Sequence, residues 1–305
     1  MNKNKKRFTK VDKDYKDLRE FKVDKECELL SFLLEKLNSQ SRNSIKSLLT
    51  HRRVSIDGAP VTQFNFKLYK GDVVIISKTS IHKKTRSNLP IIYEDDELIA
   101  INKPSGLLSI ASDKEKGSTA YRMLMDYVQQ KDKHNRIFVV HRLDEDTSGV
   151  LVVAKNPHIQ KLLQDNWNQI VKKRGYFAIC DGIFKVKEGK VTSYLKKNAQ
   201  NLMYSVKNPS KDAQLAITNY KVIKEKNNYS LLDINIETGR KNQIRVHMGD
   251  LGHNVIGDDK YGEPTNPLKR LGLHAYELSF IHPISKKKVT FKAPIPKEFT
   301  NFFKN

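Results

Sequence analysis

Histidine, arginine and aspartate open the stretch HRLDEDTSG at residues 141–149, and the apolar run VLVVAKN follows at once. The apolar run reads as a buried strand, so the polar run is a loop delivered to that strand's edge. A carboxylate such as Asp144 in that place can be a nucleophile, an acid–base group, a turn cap or half of an ion pair with Arg142. The spacing alone leaves all four open. His141 with Asp144 also suggests a metal site, but no second compact His/Asp/Glu cluster is spaced to complete one. The two cysteines, Cys27 and Cys180, do not make a zinc site or a disulfide framework. A second stretch, TGRKNQIRVHMGDLG at 238–252, ends a strand at Arg240. It then repeats Ile244, Met248 and Leu251 at helical spacing. Arg245 lies beside that stripe at the first turn, where it can point toward the sheet edge. The third candidate is Tyr176, which reads as opening the strand GYFAICDG; on its own it is a core or rim tyrosine.

The elements that must hold these residues are legible in outline. ELIAIN (97–102), VLVVAKN (150–156), GYFAICDG (175–182) and VTFKAP (289–294) read as strands. AQLAITNYKVIKE and YSLLDINIETG alternate about a KNNY turn, with Leu232, Ile234 and Ile236 facing one way. STAYRMLMDYVQQ (118–130) and PHIQKLLQDNWNQIV (157–171) read as helices, the second with proline at its start. The class expected is α+β, with a largely antiparallel mixed sheet over residues 91–305. Ahead of it, residues 21–77 read as a small α/β RNA-binding domain. It has an amphipathic helix at 28–37, a second helix at 44–51, a hairpin about Asp57-Gly58 and a strand at 70–77. Residues 1–20 read as a basic disordered arm and 78–90 as a basic linker.

Charge restricts the partners. The chain carries 56 Lys and Arg against 34 Asp and Glu, a formal net charge of +22. Such an excess favours a polyanion, above all nucleic acid. Arg42, Lys46, Arg52 and Arg53 cluster around the N-terminal hairpin and form a candidate phosphate-gripping face. No window approaches 18 consecutive apolar residues, so no membrane span is expected. The basic N-terminus lacks the apolar core of a secretory signal, and a reducing cytoplasm fits. Neither GxGxxG nor GxxxxGK[ST] occurs, so no nucleotide cofactor is expected.

The motifs become specific in combination. INKPSGLLS (101–109), HRLDEDTSGVLVVAKN (141–156), RGYFAICDG (174–182), and ETGRKNQIRVH followed by GDDKYG (237–262) occur in that order. Over about residues 90 to 300 the chain resembles the pseudouridine synthases that modify large-subunit ribosomal RNA, the Rlu family of the RluA/RluD type. The first 85 residues resemble the S4-like RNA-binding module that many members carry. The resemblance implies isomerisation of uridine to pseudouridine in folded RNA, with no cofactor or metal. It casts Asp144 as the reactive carboxylate, Arg245 as its salt-bridge partner and Tyr176 as the tyrosine that stacks on the target base. Arg142 would fill the space left by the flipped nucleotide, with His141 and Arg240 as further RNA contacts. It also implies a monomer acting on ribosomal RNA, with transfer RNA as the alternative substrate. Two features depart from the family. Lys241-Asn242 stand where Thr-His is usual, and RRVSIDG stands where a Gly-Val-Asn-Gly pattern is commoner. A non-catalytic RNA-binding or ribosome-assembly factor would account for the charge and the first domain equally well, and a metal-dependent nuclease is a third reading.

Overall fold

The computed structural model describes residues 18–51, 53–57, 59–78, 89–111, 118–262 and 266–304. The chain divides into two compact units, Met1–Thr85 and Arg86–Asn305. Arg52, most of the expected arm and residues 79–88 of the expected linker lie outside the described residues.

The first unit contains β1 (Leu18–Lys22), β2 (Cys27–Glu28), α1 (Leu29–Lys36), α2 (Arg42–Thr50), β3 (Val54–Ile56), β4 (Ala59–Pro60), β5 (Lys67–Leu68) and β6 (Val73–Ser77). Residues 18–20, assigned to the arm from sequence, are therefore strand: β1 pairs antiparallel with β6. The sheet runs β1-β6-β3-β4, and β2 pairs separately with β5. Its core is Leu29, Phe32 and Leu33 of α1 and Ile45 and Leu49 of α2 against Val54, Leu68 and Val74. Asp57 has φ +46°, in the left-handed region that a two-residue hairpin turn requires.

The second unit begins with β7 (Ile91–Glu94), β8 (Leu98–Lys103), α3 (Ala120–Lys131), β9 (Phe138–Val139), β10 (Ser148–Ala154), α4 (Pro157–Asp165) and α5 (Trp167–Ile170). It continues with β11 (Val171–Asp181), β12 (Glu188–Lys197), β13 (Met203–Val206), β14 (Gln214–Lys226), β15 (Tyr229–Ile236) and α6 (Gln243–Asp250). It closes with β16 (Leu273–Ile281), β17 (Lys288–Lys292) and α7 (Lys297–Phe302). One 11-stranded sheet runs β13-β12-β14-β15-β11-β16-β10-β8-β7, with β17 on β16 and β9 on β10. Among the described residues its ladders are antiparallel except β10–β16, so the fold is α+β with a largely antiparallel mixed sheet.

Period-two alternation shares the centre of this sheet between two cores. Leu98, Ala100, Val150 and Val152 pack under Ile159 and Leu163 of α4, with Phe280 and Phe291. Ile99, Ile101, Leu151 and Val153 pack on the opposite face under Leu124 and Val128 of α3. All seven residues of β10 are buried, which is why its sequence reads as an unbroken apolar run rather than an alternation. Two elements differ from the sequence reading. The helix expected over 157–171 breaks at Asn166, which leaves the helical region (φ −107°, ψ 10°). The β-branched Val171 then begins β11, so Tyr176 sits in mid-strand rather than opening one. In α6, Ile244 and Met248 face Leu232, Ile234 and Ile236, but Leu251 lies outside the helix and is exposed. No helix among the described residues is long and apolar enough to cross a membrane.

The parallel pairing of β10 with β16 depends on Gly149. Its φ is +118°, and a Cβ there would lie 2.1 Å from the Ala275 carbonyl oxygen. Gly149→Ala should destabilise the unit by about 3 kcal/mol, combining left-handed strain with a backbone clash. Thermal unfolding should register this as a drop of roughly 6–12 °C. An unchanged melting temperature would show that the strands separate without cost.

Candidate active site

The polar loop between β9 and β10 is held from beneath by a buried ammonium. Lys103, at the end of β8, donates from Nζ to the carbonyls of Pro104 (2.9 Å), Leu107 (2.6 Å) and Glu145 (2.8 Å). Three donors meet three acceptors, so the charge is solvated by main chain. Burial lowers the Lys103 pKa to about 8, against the opposing pull of Asp146 and Asp144. The same segment adds Ser105 Oγ donating to the Asp146 carbonyl (2.6 Å) and Ser109 Oγ donating to the Leu143 carbonyl (2.7 Å). Leu143 is buried beneath the loop, which leaves Asp144 half-buried at its mouth.

Tyr176 reaches the same place from β11, where it lies opposite Ile234 of β15 and Ala275 of β16. The β11–β16 register shifts between Gly175 and Tyr176, an irregularity of the kind found beside active sites. Burial pushes the phenol up to about 12; Arg174 opposes that shift and Asp144 reinforces it. The ring packs at the junction of the core under α3 and the core under α6.

The third contribution comes from α6, which is pinned to the sheet by polar bonds on one face. Gln243 Oε1 accepts from Thr238 Oγ1 (2.8 Å) and from the Arg240 N–H (3.0 Å). Its Nε2 donates to the Ile217 carbonyl and to Thr218 Oγ1, each at 3.0 Å. One turn on, His247 bridges Thr218 Oγ1 (2.8 Å) and Ser193 Oγ (2.9 Å), and the chain continues through Ser205 to the Asp250 carboxylate. A carboxylate only accepts, so each hydroxyl donates toward Asp250. His247 therefore carries its proton on Nε2, and burial keeps the ring neutral.

Arg245 is 2% exposed and Asp258 1%. Arg245 Nε donates to Asp258 Oδ2 at 2.6 Å, Nη2 donates to Oδ1, and Nη1 donates to Asn242 Oδ1 at 3.3 Å. Asp258 Oδ1 also accepts the N–H groups of Lys260 and Tyr261 at 3.0 Å each. Burial pulls the arginine pKa down, but Asp258 outweighs it and the net shift is upward, with Asp144 acting in the same sense. This corrects the expectation that Arg245 forms its ion pair with Asp144. Among the described residues Asp144 has no salt-bridge partner within 4.0 Å, because the guanidinium fork is committed to a carboxylate that burial obliges it to neutralise.

Asp144, Tyr176 and Arg245 line one cleft of about 540 Å³, together with Arg142, Arg240 and Lys241. The cleft widens toward Glu145, Asp146, Lys197 and Lys260. Arg142 is exposed at its lip. Asn242 takes up the left-handed conformation (φ 54°) that starts α6 and donates to Tyr261 Oη at 3.0 Å. His141 is not among the residues that line the cleft. Its Nε2 accepts the Val152 N–H at 3.1 Å and its ring packs on Trp167, 5.3 Å between centroids. Burial, helped by Arg174, lowers its pKa to about 4, so a neutral ring props β10. Arg42 and Lys46 are exposed one turn apart on α2 in the first unit, with the Lys46 ammonium 5.6 Å over the Phe64 ring; Arg53 is half-buried. Lys103, Asp258 and Gln243 stand inside the sequence motifs, but only their contacts reveal a role.

The sequence model of the RNA pseudouridylate synthase family matches residues 97–250. The chain belongs to the RNA pseudouridylate synthase family. The matched segment holds Lys103, Asp144, Tyr176 and Arg245 and ends just before Asp258. A Bacillus subtilis (strain 168) relative, the uncharacterized RNA pseudouridine synthase YhcT, is 31% identical over 267 residues, covering 86% of this chain and 87% of that protein. The ribosomal large subunit pseudouridine synthase D of Neisseria meningitidis serogroup A is 37% identical over 222 residues, 68% of this chain and 58% of that protein. Among solved structures, human RNA pseudouridylate synthase domain containing 4 superposes with a TM-score of 0.57 at 25% identity, covering 69% of this chain and 90% of that one. Like its relatives, this pseudouridylate synthase is an enzyme that isomerises uridine in RNA.

Cutting one side of the buried ion pair tests how far the synthase depends on it. Asp258→Asn leaves a guanidinium buried without its countercharge and should cost about 3–5 kcal/mol. A urea unfolding curve should show this as a lower midpoint at unchanged slope. A midpoint equal to that of the native chain would mean that water or the exposed Asp259 carboxylate, 3.8 Å from Arg245 Nη2, neutralises the guanidinium.

Proposed function

We propose that this synthase acts on large-subunit ribosomal RNA, without cofactor or metal, through the carboxylate of Asp144. The observation that carries the reading is the convergence, in one cleft, of a half-buried carboxylate, a protonated tyrosine and a permanently charged arginine. Pseudouridine formation breaks the bond from ribose to ring nitrogen, turns the uracil, and rejoins it through a ring carbon. No electron or group is exchanged with a second reactant. One ionised carboxylate suffices, whether it adds to the ring, attacks the anomeric carbon or initiates elimination to a glycal. Arg245 sets a permanent positive charge within electrostatic reach of Asp144. Tyr176, with its pKa near 12, remains a neutral phenol and so offers a stacking face and a hydrogen-bond donor rather than a base.

The target must leave its stack to reach Asp144, at a cost of a few kcal/mol. Arg142, exposed at the lip, offers a planar guanidinium to take the vacated place. Arg42 and Lys46 of the first unit, an S4-like module on this reading, add phosphate contacts. The Neisseria relative named for the large ribosomal subunit supports ribosomal RNA over transfer RNA, and a cytoplasmic location fits that substrate.

Incubating the full chain with an unmodified transcript of large-subunit ribosomal RNA, then mapping pseudouridine by carbodiimide and reverse transcription, tests this. The native chain should modify a defined uridine and be indifferent to a chelator. Asp144→Asn should fall about 10⁴-fold or more, with RNA affinity changed less than about twofold. Substantial turnover by that variant would remove Asp144 from the chemistry. Arg142→Ala should slow single-turnover modification about tenfold on a paired target. A substrate whose target uridine is already unpaired should recover most of that loss; equal loss on both substrates would assign Arg142 to docking.

A further inference from the structure

Among the described residues, two half-buried arginines beside the cleft have no carboxylate within 4.0 Å. Arg174 lies two residues before Tyr176 on β11, and its guanidinium reaches back over the turn between β15 and α6. Nη2 donates to the Glu237 carbonyl, and Nη1 lies so close to Gly239 that a Cβ there would stand 2.9 Å away. The Glu237 carboxylate itself is taken by Lys190 and Asn219, each at 2.9 Å. Arg240 donates from Nε to the Leu215 carbonyl at 2.9 Å. Among the described residues neither guanidinium has a carboxylate within 4.0 Å, whereas Arg245 pairs with Asp258 and Arg270 with Glu298 at 3.1 Å.

The two cations also oppose each other. Burial and then Arg240 lower the Arg174 pKa; Tyr176 works in the opposite sense, but with a pKa near 12 it is no anion. Two partly desolvated like charges within electrostatic reach of each other, each held by a main-chain carbonyl, are costly to keep together. That cost is relieved by an anion able to accept from two planar forks, which is the chemistry of a phosphodiester. Gly239 and Arg240 line the cleft with Asp144 and Tyr176, so an anion here lies beside the base pocket.

We propose that Arg174 and Arg240 form a subsite for a backbone phosphate of the strand that carries the target uridine. The subsite rests on the reading of the cleft as the uridine site. It separates anchoring from chemistry, with the phosphate held at the 237–241 turn while the base turns between Tyr176 and Asp144.

The test uses a fluorescein-labelled 12-residue oligouridylate and the full chain, with anisotropy titrations over a range of salt. The Arg174→Gln/Arg240→Gln double variant should show a log–log salt slope shallower by about 0.7, the loss of one single-strand phosphate contact. The corresponding double Lys variant should return the native slope. On ribosomal RNA transcript the Gln pair should raise KM about tenfold with a far smaller change in kcat. An unchanged salt slope overturns the proposal. So does a fall in kcat at constant KM, which would make the pair a prop for the 237–242 turn. If Arg174→Gln does not fold, Arg240→Gln alone must flatten the slope. If the native chain modifies no RNA yet the slope still flattens, the phosphate subsite stands and the uridine reading falls.

Discussion

A guanidinium and a carboxylate, both almost wholly removed from water, fix the shape of the cleft. Taking Arg245 and Asp258 out of water is expensive, and their attraction offsets that cost only with close two-pronged contact and every remaining lone pair occupied. Asp258 accepts two guanidinium donors, one on each oxygen, and two backbone N–H groups on Oδ1. Any displacement of α6 from the 257–262 turn would strand a charge, so the two segments behave as one piece. Arg245 therefore presents its charge near Asp144 from a fixed position, and fixed charges need no reorganisation when charge moves during a reaction.

The loop opposite is built on a different solution to the same problem. Lys103 is also buried, but its partners are three carbonyls rather than a carboxylate. Carbonyl oxygens solvate the ammonium without neutralising it. Its field therefore reaches the acidic loop above, where Asp144 and Asp146 act back on it. One residue thus ties the 103–107 turn to the Asp144 loop and places positive charge beneath Asp144. The strands on either side, β8 and β10, are buried on both faces, so the loop springs from closely packed backbone.

Charge is distributed unevenly over this strongly basic chain. Near the floor of the cleft every buried cation is matched to acceptors, through Asp258 or through main-chain carbonyls. At the rim, Arg142 and Lys241 are exposed and Arg240 is half-buried, with the acids Glu145 and Asp146 on the loop between them. Paired charges below hold geometry, and unpaired charges above attract a polyanion. That division suits a cleft that takes up RNA.

The α+β class and the order of strands around 97–102, 150–156 and 213–239 were legible in the sequence, as was the placing of Asp144 in a loop ahead of β10. Local periodicity, turn residues and motif order are properties of neighbouring residues, and they survive in the chain read as text. The break at Asn166, the strand status of residues 18–20 and the strands β12, β13 and β16 were less legible. They depend on pairing partners far away in the chain, or on burial that erases alternation. Side-chain partnership was the least accessible of all. His141 turned out to brace β10 against Trp167, Lys103 to clamp a loop 42 residues away, and Arg245 to choose Asp258 over Asp144. By itself the sequence determined which chemical groups exist and roughly which element carries each. Only the tertiary structure decided which charges neutralise one another and which stay open to a substrate, because desolvation and hydrogen-bond geometry are set by atoms that folding brings together from distant positions.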